Sequence, residues 1–237
     1  MIAWRVVTLV AVTATISVPL TAQSLLQKLL RIAGLTAAPS QLRGPGDDAA
    51  SGNIWVANLD RQTTQALTND GGYRSPVFSP ADRSIYALKG DAIVRIRTDG
   101  TSSSAVKAPG AIKLVGFDGQ NPDELVVLLD AGAGQSPLAI VSLKSGAVTP
   151  LPYDPKAEDQ RRMLAQIRAQ DRVYGETTVY TKTESKQGLS RKIEWTDVYL
   201  QRGKMPPQNV SACDGVSCVQ PSLSPDGRAV AFVRAGT

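Results

Sequence analysis

The sequence predicts an all-β protein, and three observations carry that expectation. Short apolar segments recur between residues 52 and 236, each closed by a turn-forming cluster such as Asn69-Asp70-Gly71-Gly72 or Ser145-Gly146. A hairpin unit built around Ser-Pro occurs twice, at 76–88 and at 221–233. The chain has 237 residues, 42% of them hydrophobic and 20% charged. It is long enough to bury a sizeable core, and its composition is neither disordered nor fibrous. Short strands at such intervals suit a sandwich, a barrel or a propeller.

The amino-terminal 51 residues stand apart from this pattern. Arg5 is the only charge before Lys28, and Val6 to Leu20 is largely apolar. Small residues follow at Thr21 and Ala22. This arrangement predicts a secretory leader over 1–23, cut after Ala22. Leu20 departs from the small-residue rule at such cuts, which leaves the exact position open. An uncleaved anchor is the alternative, although the run is short of the roughly 20 residues that a span needs. No cysteine lies near the cut, so a lipid anchor is not expected. Ser24 to Leu35 has apolar residues at 25, 26, 29, 30, 32, 33 and 35, which is helical spacing. Ser24 can cap that helix and Gly34 can end it. The helix either packs on its own domain or docks to a partner or a membrane surface. Residues 36–51 carry Pro39, Gly44, Pro45 and Gly46 and form a linker by composition. The boundaries expected are therefore 1–23, 24–51 and a β domain over 52–237.

Within that domain the strands expected run over 54–59, 65–68, 76–78, 85–88, 92–97, 113–117, 125–129, 138–143, 177–182 and 193–200. Each is rich in β-branched and aliphatic residues between turn signals. Residues 158–172, EDQRRMLAQIRAQDR, break the pattern. They are helix formers with Met163, Leu164 and Ile167 at helical spacing, which predicts one inserted helix.

The repeat separates the candidate architectures. In its second copy, Pro221 opens a strand that runs into Ser224-Pro225-Asp226-Gly227-Arg228 and then into the apolar strand Ala229 to Val233. Pro225 presets the turn, and Gly227 can take a positive φ. In the first copy Ser79 and Pro80 stand at the same places, but Ala81 and Asp82 replace Asp226 and Gly227. The upstream segments Ile54 to Leu59 and Leu67 to Gly72 complete the unit. This repeat resembles that of the TolB-like β-propellers, the WD-like blade of periplasmic proteins. The resemblance implies a small propeller of about four to five blades, at about 40–50 residues per blade. The chain opens with strands that lack preceding partners and closes with strands that lack following ones. Pairing them would remove exposed edges, so closure of the ring by the amino- and carboxy-terminal strands is expected; the alternative is a fragment-like open β-sheet array or a truncated larger propeller. The resemblance also implies that Trp55 and Trp195 are blade-core residues.

The chemistry open to the chain is narrow. It has no histidine, which removes His-dependent triads and His-ligated metals. Two cysteines are too few for a thiolate zinc site. Cys213 and Cys218 are a close, even pair, and in an exported chain they predict a disulfide loop. Asp60, Asp70, Asp82, Asp99, Asp118 and Asp226 all fall at turns, where aspartate shapes loops. No phosphate loop, dinucleotide fingerprint or calcium loop occurs. No catalytic residue, cofactor or metal is therefore assigned. The net charge is +5, yet the basic residues are interleaved with acids and form no stripe, so nucleic acid is not expected. The function expected is a non-catalytic, monomeric, periplasmic or secreted scaffold. It would bind another envelope protein, with Ser24–Leu35 as a candidate handle and no direct membrane contact predicted. The alternative is a lyase or hydrolase that uses Asp70, Asp118, Arg74 and Arg172 at a channel mouth.

Overall fold

The structure is a computed structural model that describes residues 50–118, 121–130, 138–151, 173–188 and 191–236. The leader expected at 1–23, the helix expected at 24–35 and the helix expected at 158–172 lie outside the described residues. The described residues are all β, as expected, and contain no helix.

The first strands are β1 (Gly52–Asn58), β2 (Thr63–Ala66), β3 (Tyr73–Phe78), β4 (Ile85–Lys89), β5 (Ala92–Ile96) and β6 (Ser102–Lys107). β7 (Ala111–Asp118), β8 (Asn121–Leu129), β9 (Leu138–Ser142) and β10 (Val148–Pro150) follow. β11 (Val173–Tyr174), β12 (Thr177–Gln187), β13 (Lys192–Arg202) and β14 (Gln208–Asn209) come next. The chain closes with β15 (Cys218–Leu223) and β16 (Ala229–Ala235).

The terminal strands do pair. β1 runs antiparallel to β16 from Gly52 opposite Ala235 to Asn58 opposite Ala229. The closed ring, however, does not form. There are three separate antiparallel sheets: an eight-stranded one in the order β15-β16-β1-β3-β4-β5-β6 with β2 on β1, a second of β10-β9-β8-β7, and a third of β11-β12-β13-β14. No sheet closes on itself, and among the described residues no strand pairing links the second sheet to the third. The expectation of a closed propeller is therefore corrected to an open array of three sheets. The physical reason lies at Gly52. Terminal pairing did not complete an isolated unit, because β1 also pairs with β3 through Gly52 and Tyr73. The missing Cβ of Gly52 leaves room for the Arg234 backbone of β16, while the bridge from Gly52 to Tyr73 carries the sheet on into β3–β6.

Three apolar clusters hold the array together. One lies within the eight-stranded sheet, around Ile54, Ile85, Ile96 and Val233. The second joins that sheet to β7–β9 through Val77, Leu88, Leu114, Leu125 and Val141. Tyr86 adds an edge-on contact to Phe117 across the same junction, with ring centroids 5.3 Å apart. The third joins β1, β15 and β16 to β12 and β13 through Val230, Phe232, Val179, Val198 and Leu200. Burying one such aliphatic side chain is worth about 1.5–3 kcal/mol. The eight-stranded sheet is thus the centre, with one smaller sheet packed on each side.

The repeat extends further than its turn. Ser75 and Gln220 each precede a motif proline, and both have positive φ, 51° and 54°. Each sits in a break of register, between Arg74 and Val77 and between Val219 and Ser222. Pro76 and Pro221 have no N–H to lose, which suits them to such bulges. The two bulges face each other. Ser75 N–H donates to Gln220 Oε1 at 2.6 Å, and Gln220 Nε2 donates to the Ala50 carbonyl at 3.0 Å.

Ser75 carries two local costs: a left-handed backbone and a buried hydroxyl with no hydrogen-bond partner. Ser75→Gly removes both and keeps the N–H that Gln220 uses. The expected result is a gain of about 0.5–1 kcal/mol in urea unfolding. A loss would show that the hydroxyl has a partner in solution.

Candidate functional site

The two Ser-Pro turns are built by the same side-chain logic with one displacement. In the second copy Ser224 N–H donates to the Ala229 carbonyl at 2.8 Å, and Gly227 N–H donates to the Ser224 carbonyl at 2.9 Å. The Ser224 hydroxyl accepts from the N–H groups of Arg228 at 3.1 Å and Ala229 at 2.9 Å, and donates to Asp226 Oδ1 at 2.7 Å. In the first copy Ser79 N–H donates to the Ser84 carbonyl at 2.7 Å, and Ser79 Oγ accepts from Ala81 N–H at 3.2 Å. Asp82 Oδ1 accepts from Ser84 N–H at 3.0 Å. The left-handed residue is Gly227 in the second copy, with φ 68°, and Arg83 in the first, with φ 60°. Without a glycine, the turn takes its positive φ one position later.

Gly227→Ala tests this chemistry. A Cβ at Gly227 would stand 2.7 Å from the Tyr174 ring, but Tyr174 is half exposed and can swing aside. The positive φ cannot be relieved so easily. The expected loss is about 1 kcal/mol, read as a lowered midpoint in urea with an unchanged slope. An unchanged midpoint would mean the turn can move its left-handed residue, as the first copy does.

The two turns meet. Arg83 of the first copy pairs with Asp226 of the second at 3.0 Å. Arg228 pairs with Asp60 at 3.7 Å. The Ser224 hydroxyl, with Arg83 beside it, holds the Asp226 carboxyl below the usual value. At Asp82 burial would raise the pKa, but the Ser84 backbone and side chain, Ser79 and Arg95 outweigh it and lower the value. Both carboxylates are therefore fully ionised at neutral pH.

Between the turns lies a cleft of about 360 Å³. Its apolar floor is Val56, Leu67, Phe78 and Ala229. Its polar walls are Asn58, Thr63, Gln65 and Thr98, and its rim carries the two ion pairs and Arg61. Local sequence places these groups. β2 projects Thr63 and Gln65 to one side by strand alternation. The turn from β1 to β2 is shaped by Asn58, whose Oδ1 accepts from the N–H groups of Asp60 at 3.1 Å and Arg61 at 2.9 Å.

The other residues singled out from the sequence lie elsewhere. Cys213 and Cys218 form a disulfide with Cα atoms 6.2 Å apart, and both are buried in the third cluster. Trp55 packs against that cluster, half buried, with the Arg234 guanidinium 4.9 Å from its ring centre. Trp195 is half buried on β13, and its indole N–H donates to Asp197 Oδ2 at 2.9 Å. Asp70 pairs with Lys89, and Arg74 donates to the carbonyls of Gly90 at 3.3 Å and Ala111 at 3.1 Å. The Asp118 side chain and Arg172 lie outside what the structure describes.

Sequence reasoning gave the Ser-Pro turns but missed that they bracket a cleft, and it missed Arg61 and Gln65 altogether. The available signal was Asn58 three residues ahead of Arg61, the spacing of an Asx-shaped turn.

No known family profile matches the chain, and no curated protein matches it. Among solved structures, one assigned to TolB of Agrobacterium tumefaciens aligns with a TM-score of 0.37 and 13% identity. The alignment covers 77% of this chain and 61% of that one, so the chain spans less than two thirds of the length of that structure.

Proposed function

We propose that this chain is an exported, non-catalytic scaffold that binds another protein of the cell envelope, with 1–23 as its leader and 52–237 as its binding domain. The cleft between the two Ser-Pro turns carries this reading. It combines an apolar floor with a polar rim, the makeup of a recognition site. Its rim carboxylates, Asp60 and Asp226, are each tied to a guanidinium. Asp226 is held below its ordinary value, the opposite of a carboxyl poised as a general acid. The buried Cys213–Cys218 disulfide is a further support, because such bonds persist in oxidising compartments. The resemblance of the repeat to that of TolB-like envelope proteins points the same way.

The test is crosslinking in intact cells of the source. A photo-reactive residue replaces Gln65 in the cleft, or Lys144, exposed on the turn after β9, as a control. The expected result is one envelope protein captured from position 65 and not from 144. Capture of nothing from either position, or of the same mixture from both, overturns the reading. Repeating the capture without residues 24–35 shows whether that segment is needed.

A further inference from the structure

We infer that the cleft recognises a carboxylate next to an apolar side chain, presented by an extended segment of the partner, and that Arg61 is its anchor. This rests on the binding reading above and specifies its chemistry. Three guanidiniums reach the cleft. Arg83 and Arg228 are occupied by Asp226 and Asp60. Arg61 has no side-chain partner among the described residues, so the rim carries one uncompensated positive charge.

The backbone that carries that charge is held in place. Arg61 follows Asn58, whose side chain closes the turn on the Arg61 backbone N–H at 2.9 Å. A turn with its backbone already ordered loses less freedom when its side chain binds. A planar guanidinium without a partner is suited to a carboxylate, which it can hold through two parallel hydrogen bonds. Beneath it, Val56, Leu67 and Phe78 offer an apolar floor. A cavity of about 360 Å³ falls at the small end of ligand sites. It suits a few residues of extended chain and not a folded surface. The side chains of Thr63 and Gln65 line the same wall, and they can meet the polar backbone of such a segment.

Two sources offer this chemistry: a chain carboxy-terminus ending in an apolar residue, or an acidic side chain beside one. The experiment separates them. The probes are N-acetyl-dialanyl-leucine as the free acid, the same tripeptide as its carboxy-terminal amide, and an amide in which the middle residue is aspartate. Each is titrated into the full mature chain and followed by amide shifts in 15N–1H spectra. The free acid is expected to move the resonances of Arg61, Gln65 and Ala229, and the plain amide to bind at least tenfold more weakly. If the aspartate amide binds as the free acid does, any carboxylate beside an apolar residue serves. If it does not, the site reads chain ends. Arg61→Gln, at an exposed turn, is expected to weaken the free acid at least tenfold with the spectrum otherwise unchanged. Lys144→Gln is expected to have no effect. The proposal is overturned if the plain amide binds as well as the acid, if Arg61→Gln leaves binding unaltered, or if no probe moves the cleft resonances. Should the probes fail while position 65 still captures a partner in cells, the carboxylate chemistry falls and the scaffold reading stands.

Discussion

Gly52→Ala is expected to lower the stability of the protein by about 3 kcal/mol, the upper end of what overpacking a tight site costs. An ideal Cβ at residue 52 would lie 2.0 Å from the Arg234 carbonyl oxygen, 2.8 Å from the Arg234 carbonyl carbon and 2.9 Å from the Ala235 Cα. All three are backbone atoms of β16. No rotamer change can clear them, so β1 and β16 must separate at that end. The same residue holds β3 against β1, opposite Tyr73. The substitution therefore opens the β1–β16 ladder at the centre of the eight-stranded sheet, beside the bridge to β3. Equilibrium unfolding in urea measures the loss, and Ser51→Ala, at the exposed neighbouring position, serves as the control. A variant within about 0.5 kcal/mol of the parent would show that the β1–β16 approach does not depend on a bare backbone.

Asp197→Ala is the second large expected effect, again about 3 kcal/mol. Asp197 is buried on β13. Its Oδ1 accepts from Cys213 N–H at 2.7 Å and from the Ser211 hydroxyl at 2.8 Å, and its Oδ2 accepts from the Trp195 indole. Ser211 Oγ in turn accepts from Val198 N–H at 2.8 Å. The carboxylate thus fastens the disulfide loop to the third sheet. Removing it leaves the buried Cys213 N–H without a partner and loosens the hydroxyl. Each buried donor so orphaned costs about 1–3 kcal/mol.

The pH dependence follows from the direction of its pKa. Burial alone would raise it, but the Cys213 N–H, the Ser211 hydroxyl and the Trp195 indole hold it below the ordinary value. A group depressed in the folded state contributes stability that is present above its unfolded pKa, near 4, and is lost as pH falls through the folded one. The parent is expected to lose stability steadily below about pH 4, and Asp197→Ala to show a shallower loss over that range. Asp82 and Asp226 are depressed as well, so the slope falls without vanishing. Urea midpoints at pH 7 and at pH 3 measure it. Parallel slopes for parent and variant would mean that Asp197 does not titrate as described.

The two results concern features of different legibility. The strand containing Gly52 was foreseeable from Ile54-Trp55-Val56-Ala57, and its pairing with the last strand followed from the incomplete units at the two ends. That Gly52 would lie directly against the β16 backbone was not foreseeable, because nothing local distinguishes a glycine that ends a linker from one that lets backbones touch. Asp197 shares one face of β13 with Trp195 and Tyr199, so its face could be inferred. Its meeting with Cys213 could not, since that contact spans a turn, a short strand and a disulfide loop. The candidate site divides in the same way. Both Ser-Pro turns were visible as motifs, whereas their ion pair joins Arg83 and Asp226, residues far apart in the chain.

Information carried within about ten residues was enough for the all-β class, the turn positions, the repeat and the Cys213–Cys218 bridge. Hydrophobic alternation, proline and glycine geometry and cysteine spacing act at that range, so composition and order express them directly. The tertiary structure alone decided how the strands group. It showed three open sheets in place of a ring, a seam at Gly52, two bulges joined through Gln220, and a cleft at the meeting of two distant turns. Each of these depends on contacts between residues far apart in the chain, where a few ångströms of backbone approach settle the outcome and no local pattern records it.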